Sequence, residues 1–174
     1  LVLLVAAFAI LLGTLYPLII DFMDMGKISV GAAWFNTMFV PLAVLLSFLM
    51  GLGSISRWKA DSLQRLRKES NVAFILAVFL AFATPLIMAS DMNWQVVMGM
   101  AVGIWVIAAT KWDVWKKSRG QISRIPKLGL SYLGMVVAHI GVGISVIGVT
   151  LVANYSVEKS VRLSPGEVAE FAGY

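Results

Sequence analysis

The 174-residue sequence predicts an all-α protein, a polytopic membrane bundle of five transmembrane helices followed by the start of an exterior β-rich domain. Hydrophobic residues make up 60% of the chain and charged residues only 13%, and the mean hydropathy is +0.89, which no ordinary soluble domain approaches. Five apolar runs are long enough to cross a hydrocarbon core about 30 Å thick. They lie at residues 1–20, 38–55, 72–89, 94–110 and 128–153.

The two ends of the sequence suggest that it comes from a longer chain. The first run has no initiator methionine, basic leader or small-residue cleavage site, so we do not interpret it as a removable signal peptide. The last residues stop soon after the turn-like Ser164-Pro165-Gly166. We therefore expect a cut piece or one product of a split gene, with residues 1–153 in the membrane and 154–174 beginning the exterior domain.

The second to fourth runs carry features that shape a bundle. Pro41 is expected in the first turn of the second span, where proline is tolerated, and residues 28–36 are expected to lie on the membrane surface. Pro85 should bend the third span. Gly99 and Gly103 form a G-x-x-x-G pattern in the fourth, which usually indicates close helix packing.

The basic residues predict the orientation of the spans. Eleven of the 14 Lys and Arg residues fall in two stretches, 57–68 and 111–127, which flank the third and fourth spans. Cationic loops stay on the cytoplasmic side, so the first residue should be cytoplasmic and the last exterior. These stretches could bind phosphate or anionic partners, but we treat them as topology determinants lying against anionic lipid and assign them no chemistry. Because these stretches account for the net charge of +5, the charge is no reason to expect a nucleic-acid partner.

Few side chains in the sequence can carry chemistry. There is no cysteine, which excludes disulfides, thiolate metal sites and a cysteine nucleophile from this stretch. We find no phosphate-binding glycine loop, no paired membrane carboxylates and no nucleophile-base pattern. No catalytic residue is therefore assigned.

His139 is the leading functional candidate. It is the only histidine, and residues 128–153 around it hold no other ionisable side chain except Tyr132. Hydrocarbon offers imidazole no hydrogen-bonding partner, so the ring must be bound, paired or buried. A rise of about 1.5 Å per residue puts it roughly 15 to 18 Å from the cytoplasmic end of the span.

The fifth span around His139 is rich in small residues. Intervals of four and three residues place five of them on one stripe, beside which the imidazole is expected to leave the helix. Met135 and Gly143 lie one turn away, and we name both as candidate pocket walls, since Gly143 removes bulk where a flat ligand would lie. The small-residue stripe consists of Gly134, Ala138, Gly141, Ser145 and Gly148.

Three roles for His139 remain open at this point. The ring could hydrogen-bond a neighbouring helix and simply stabilise the bundle. It could bind a metal or heme, because neutral imidazole is a common axial ligand and heme suits an apolar slot. It could also relay protons.

Three local patterns resemble the CcmF heme lyase family of bacterial cytochrome c maturation. They are residues 12–17 (LGTLYP) with the following 28–31 (ISVG) and 35–36 (FN), residues 134–141 (GMVVAHIG), and residues 154–159 (NYSVEK). The resemblance covers essentially the whole chain, including the order of spans and basic loops. The stretch around His139 is its most specific part.

The resemblance implies a function and a cofactor. In the family, the histidine at this place is one of two transmembrane ligands of a b-type heme, so His139 inherits the role of axial ligand to the heme iron. The second ligand lies outside this sequence. The whole protein is then expected to reduce heme and attach it covalently to apocytochrome c in the bacterial inner membrane. Its expected partners are the heme chaperone CcmE, CcmH-type subunits, membrane lipid and a membrane quinone.

The sequence also departs from the family pattern. The tryptophan-rich W-G-x-W-x-W-D motif and the two exterior histidines that hold incoming heme are absent, and Ala33 stands where proline is expected. This stretch alone should therefore be an incomplete lyase. The alternative is a heme or small-solute transporter subunit in which His139 lines the pathway.

Overall fold

A computed structural model describes residues 1–57, 61–88 and 93–156 of the chain, and every regular element in these ranges is helical. Within these ranges, five helices are long and apolar enough to cross a membrane. This confirms the all-α architecture and the number of spans. The helices are α1 (Val2–Phe22), α2 (Ala32–Ile55), α3 (Leu63–Ile87), α4 (Trp94–Lys117) and α5 (Leu130–Tyr155), and a short 3₁₀ segment (Ile122–Leu128) precedes α5.

Helix α4 is the centre of the bundle. It packs against α2, α3 and α5, whereas α1 packs chiefly against α2. The contact with α3 uses small residues spaced four apart, Ala73, Ala77 and Ala81, all almost fully buried. Because their side chains are small, the two helix backbones can approach closely. Gly99 and Gly103 of α4 face α5, so the packing predicted for the G-x-x-x-G pattern is confirmed.

Trp105 joins three helices near the middle of α4. Its side chain is 2% exposed, and its indole Nε1 donates a hydrogen bond to the Phe48 carbonyl oxygen of α2 at 3.0 Å. The ring stacks on Phe48 with centroids 5.8 Å apart and meets Phe74 of α3 edge-on at 5.9 Å. The indole is thus fully partnered in an apolar interior, which explains why this tryptophan lies away from the span ends.

Large apolar side chains cover the outside of the bundle. Phe8 of α1 is 64% exposed and Phe79 of α3 is 69% exposed, and many other leucines, isoleucines and valines share this outward placement. Such a surface is unfavourable in water and favourable against lipid tails. The exterior therefore agrees with a multi-pass membrane protein.

Several helix ends differ from the predicted span ends. Helix α2 begins at Ala32, so the last residues of the expected surface segment 28–36 belong to a spanning helix, and Pro41 lies in its third turn rather than its first. Helix α3 starts nine residues before the apolar run, with the Ser62 hydroxyl accepting a hydrogen bond from the Arg65 amide at 3.3 Å. Arginine, lysine and glutamate are good helix formers, so the helices continue beyond the apolar runs.

The predicted start of the exterior domain is only partly within the described chain. Asn154 and Tyr155 are the last residues of α5, so the membrane helix continues past the predicted boundary at 153. The expected β-hairpin falls on residues 157–174, which lie outside the described residues. The β-rich character of the exterior domain therefore stays a prediction.

Candidate functional site

His139 occupies the third turn of α5, where its half-buried ring is held by the helix itself. Its Nδ1 lies 2.9 Å from the carbonyl oxygen of Met135, one turn earlier. A carbonyl oxygen can only accept, so Nδ1 is the nitrogen that carries the proton and donates. Nε2 then has a free lone pair and, among the described residues, no hydrogen-bond partner. Metal-bound histidines share the feature that one ring nitrogen donates to a carbonyl or carboxylate while the other is available to the metal.

The start of α5 is fixed by Gly129, which sets the position of the imidazole along the bundle. Gly129 has φ +85°, a left-handed conformation that L side chains rarely adopt, and its carbonyl accepts the Leu133 amide at 3.1 Å. The preceding 3₁₀ segment contains Pro126. Because proline lacks a backbone N–H, this segment is a poor continuation of the α-helix. His139 therefore lies about 15 Å along a helix whose first residue is Leu130.

The two candidate pocket walls have different surroundings. Met135 is half-buried and supplies the carbonyl that holds the His139 ring. Gly143 is buried against α4, and a Cβ there would lie 2.5 Å from Ile107 Cγ1 and 2.9 Å from the Gly103 carbonyl oxygen. The space beside Gly143 is thus filled by α4 in the described chain. A role for either residue in a heme pocket stays a prediction.

The small-residue stripe faces away from α4. Its residues are exposed, and a Cβ at Gly134, Gly141 or Gly148 would meet nothing within 4 Å among the described residues. His139 lies instead on the flank of the α4 contact, roughly 140° around the helix from the middle of the stripe. The sequence interpretation that placed the imidazole beside the stripe does not hold. The stripe and the imidazole serve different faces of α5.

A polar cluster that the sequence did not reveal joins the end of α4 to the start of α5. The Tyr132 hydroxyl donates to Asp113 Oδ2 at 2.7 Å, and Lys117 Nζ binds the same oxygen at 2.7 Å. The lysine also lies 4.3 Å from the centre of the Tyr132 ring. Tyr132 is therefore engaged with α4, about two helical turns before His139. The only sequence signal for this cluster was that Tyr132, Asp113 and Lys117 lie near the ends of predicted spans.

The donor set around His139 suits heme better than a protein-bound metal ion. In the described ranges, no group of three or more His, Cys, Asp or Glu residues could hold a metal ion. A porphyrin brings four nitrogen ligands of its own and asks the protein only for axial ones. A single imidazole with a free Nε2 in an apolar helix fits that requirement.

Comparison with known proteins finds clear relatives. The chain is 40% identical to the cytochrome c-type biogenesis protein CcmF of Pseudomonas fluorescens over 176 residues, which covers 100% of the chain and 26% of the relative. It is 36% identical to CcmF of Escherichia coli (strain K12), covering 99% of the chain and 26% of that protein. The cytochrome c-type biogenesis protein CycK of Rhizobium meliloti is 30% identical over 100% of the chain and 27% of its own length.

These matches differ in how much they cover of this chain and of its relatives. The chain matches CcmF proteins from end to end but spans only about a quarter of their length. No protein-family profile matches the chain. No solved structure matches it significantly. The similarity to CcmF therefore rests on the sequence.

Proposed function

We propose that this chain is part of a CcmF-type protein of cytochrome c biogenesis, and that His139 is one axial ligand of a b-type heme within the membrane. The observation that carries the proposal is the His139 ring itself, whose Nδ1 donates to the Met135 carbonyl while Nε2 has no partner among the described residues. The match to CcmF along the whole chain supplies the biological setting. The second axial ligand comes from outside this sequence.

The residues of this chain would bind and orient the cofactor. The Met135 carbonyl fixes the tautomer and the ring plane of His139, and a hydrogen bond of this kind also makes the imidazole a better ligand. The absence of other ionisable groups close to His139 on α5 keeps the site apolar, which excludes water. Heme bound there would supply one-electron redox chemistry inside the membrane.

The proposed role of the whole protein is reduction of heme and its covalent attachment to apocytochrome c. Thioether formation requires positioned reactants and the correct iron oxidation state more than a protein acid or base, and the sequence offers no obvious acid-base pair. Delivery of heme by CcmE, assembly with CcmH-type subunits and electron supply from a quinone belong to the same proposal. They rest on the resemblance to the family.

The proposal is tested by replacing the imidazole in the full-length protein that contains this chain. We expect His139→Ala to abolish or strongly reduce the low-spin b-type absorption spectrum of the purified protein, while the protein remains in the membrane. Val137→Ala is the matched control, because Val137 lies two residues away on α5 with its side chain 70% exposed. The control should keep its heme.

Three results would count against the proposal. One is a Soret band that is unchanged in His139→Ala. Another is a reconstituted solute flux that depends on His139 in a protein without heme, which would support a transporter instead. A protein that stays folded, heme-free and active with His139→Gln would point to a purely structural role.

A further inference from the structure

A second candidate site lies at the end of the bundle opposite to the start of α2 and α4. A cavity of about 470 Å³, open on one side, is enclosed by the end of α2, the beginning of α3 and the end of α4. We call it the basic cavity, because its walls carry four cations and two carboxylates: Arg57, Arg65, Lys116, Lys117, Glu69 and Asp113. Nothing in the proposed heme chemistry uses these residues.

The charges of the basic cavity are arranged by depth. The Glu69 and Asp113 side chains are 16% and 12% exposed, so the carboxylates lie at its base. The side chains of Lys116 and Lys117 are 46% and 49% exposed, so the lysines lie at the opening. A ligand approaching from outside therefore meets positive charge first.

The cations at the opening have unused hydrogen-bonding capacity. Lys116 binds Glu69 and Lys117 binds Asp113, and each bond uses one of the three protons of an ammonium group. The Arg57 side chain is exposed and makes no ion pair within the described ranges, although its backbone amide donates to Asp61 at 3.0 Å. Arg65 differs from these three, because it is already paired with Asp61 and lies 3.8 Å from Glu69. Three cations therefore remain available to an anion.

The basic cavity lies at the depth of lipid headgroups. Glu69 is three residues before the apolar part of α3, and Lys116 is six residues after the apolar part of α4. A rise of about 1.5 Å per residue puts these groups roughly 5 to 10 Å beyond the hydrocarbon. Trp112 also lines the cavity and donates to Glu69 at 3.3 Å, as suits an indole at a membrane interface.

We propose that the basic cavity binds the phosphate of an anionic phospholipid headgroup. Arg57, Lys116 and Lys117 line the cavity and supply the donors. Basic pockets between transmembrane helices favour such headgroups. A membrane-bound phosphate is favoured over a soluble one because the opening lies at headgroup depth, where lipid phosphate is concentrated.

The test measures lipid binding to the full-length purified protein in detergent by native mass spectrometry. Phosphatidylglycerol and phosphatidylcholine are the lipid probes, and inorganic phosphate and glycerol phosphate are the soluble competitors. A direct charge-assisted hydrogen bond to the phosphate should contribute at least about fivefold in affinity, so the combined variant Arg57→Gln, Lys116→Gln, Lys117→Gln should bind phosphatidylglycerol at least about 100-fold more weakly. Binding of phosphatidylcholine should be weak and unchanged.

The matched control neutralises the same number of charges at the same end of the bundle. Lys111→Gln, Arg119→Gln and Lys127→Gln change exposed residues that do not line the cavity, and together they should leave phosphatidylglycerol binding within about twofold of the original. Arg57→Gln alone breaks no side-chain ion pair of the described chain and should weaken binding about fivefold or more, because it removes a direct charge-assisted hydrogen bond to the phosphate. It keeps the test decisive if the combined variant does not fold.

Two outcomes would overturn the proposal. Equal losses in the cavity variant and the control would show general attraction to charge instead of a site. Displacement of phosphatidylglycerol by millimolar inorganic phosphate or glycerol phosphate would show a site for a soluble anion. Heme content is recorded in the same samples and is expected to be unchanged, so this proposal and the heme proposal can fail separately.

Discussion

At the scale of single residues, the Met135 carbonyl determines which ring nitrogen of His139 carries the proton. The Met135 carbonyl cannot donate, so Nδ1 must carry the proton and Nε2 must be the nitrogen with the lone pair. A ring that served only to join helices would be expected to use Nε2 for a second partner. Because Nε2 has no partner among the described residues, a role as a metal ligand is favoured over a role in packing alone.

Replacement of His139 by glutamine separates ligation from packing. The glutamine amide can still donate to a backbone carbonyl, so we expect His139→Gln to change the free energy of unfolding of the heme-free protein by less than about 1 kcal/mol. Heme binding should be lost, because an amide is a poor iron ligand. Denaturant unfolding and absorption spectra check the two parts. A large loss of stability together with retained heme would contradict the assignment.

Asp61 gives the described chain a pH-dependent contact between α2 and α3. Hydrogen bonds from the Arg65 guanidinium, first, and from the Arg57 amide hold the pKa of the Asp61 carboxyl well below its ordinary value of 3.8. A depressed pKa in the folded state adds stability above the ordinary pKa, and this stability is lost as the pH falls toward the folded value. The contribution should be modest, because the Asp61 and Arg65 side chains lie at the end of the bundle and are 15% and 22% exposed.

A comparison of melting temperatures tests this contact. The difference between the unmodified protein and Asp61→Asn should be largest near pH 6 and should shrink as the pH is lowered below about 4. Ser56→Ala, on the adjacent exposed turn, serves as a variant without a titrating group. An equal difference between the unmodified protein and Asp61→Asn at pH 6 and pH 3 would show that the carboxylate charge is not what stabilises the contact.

At the scale of elements, the crossing of α4 and α5 depends on two facing glycines. A Cβ at Gly103 would lie 2.6 Å from Ile147 Cγ1 and 3.0 Å from the Gly143 carbonyl oxygen. The backbones are therefore too close for any side chain at either position. Helix α5, which carries His139, is positioned by this contact, since α4 is its main neighbour.

Alanine at Gly103 should force the two helices apart. We expect Gly103→Ala to destabilise the protein by about 1–3 kcal/mol, because a tightly packed contact must expand to accept the methyl group. Gly53→Ala is the control, since a Cβ there meets nothing within 4 Å among the described residues and alanine favours helix. Thermal unfolding in detergent measures both. A Gly103→Ala variant as stable as Gly53→Ala would contradict the close crossing.

The sequence predicted the apolar centres of all five helices but not their packing faces. Hydrocarbon and protein interior are both apolar, so a residue such as Gly143 or Gly141 looks the same in sequence whether it meets a helix or lipid. Only the structure shows that Gly143 is buried and Gly141 exposed. Helix ends were missed for a related reason, because the polar first turns of α3 carry no hydropathy signal. His139 was found because a lone imidazole in an apolar run is itself unusual.

At the scale of the whole molecule, the described chain is a bundle with one strongly charged end. The basic cavity lies at this end and brings together two arginines and two lysines that are far from each other in sequence: Arg57 and Arg65, and Lys116 and Lys117. The sequence predicted that this end lies in the cytoplasm but not that three helices would enclose its charges. Among the described residues, the opposite end, near the start of α2, carries Lys27 and no other Lys or Arg.

The orientation is tested by labelling single cysteines in a protein otherwise free of cysteine. We expect a membrane-impermeant maleimide to label Met25→Cys in intact spheroplasts and Gln121→Cys only after permeabilisation, because the basic end should stay in the cytoplasm. Both positions are exposed, so neither change should disturb packing. The reverse labelling pattern would show that the bundle is inserted the other way round.

The central claim, that His139 Nε2 ligates heme iron, is tested most directly by chemical rescue in the full-length protein. His139→Gly should purify with little heme and should regain a low-spin b-type spectrum when imidazole is supplied, because the free ligand can occupy the space of the lost ring. Val137→Gly should keep its heme and show no dependence on imidazole. A His139→Gly protein with the original spectrum in the absence of imidazole would contradict the claim.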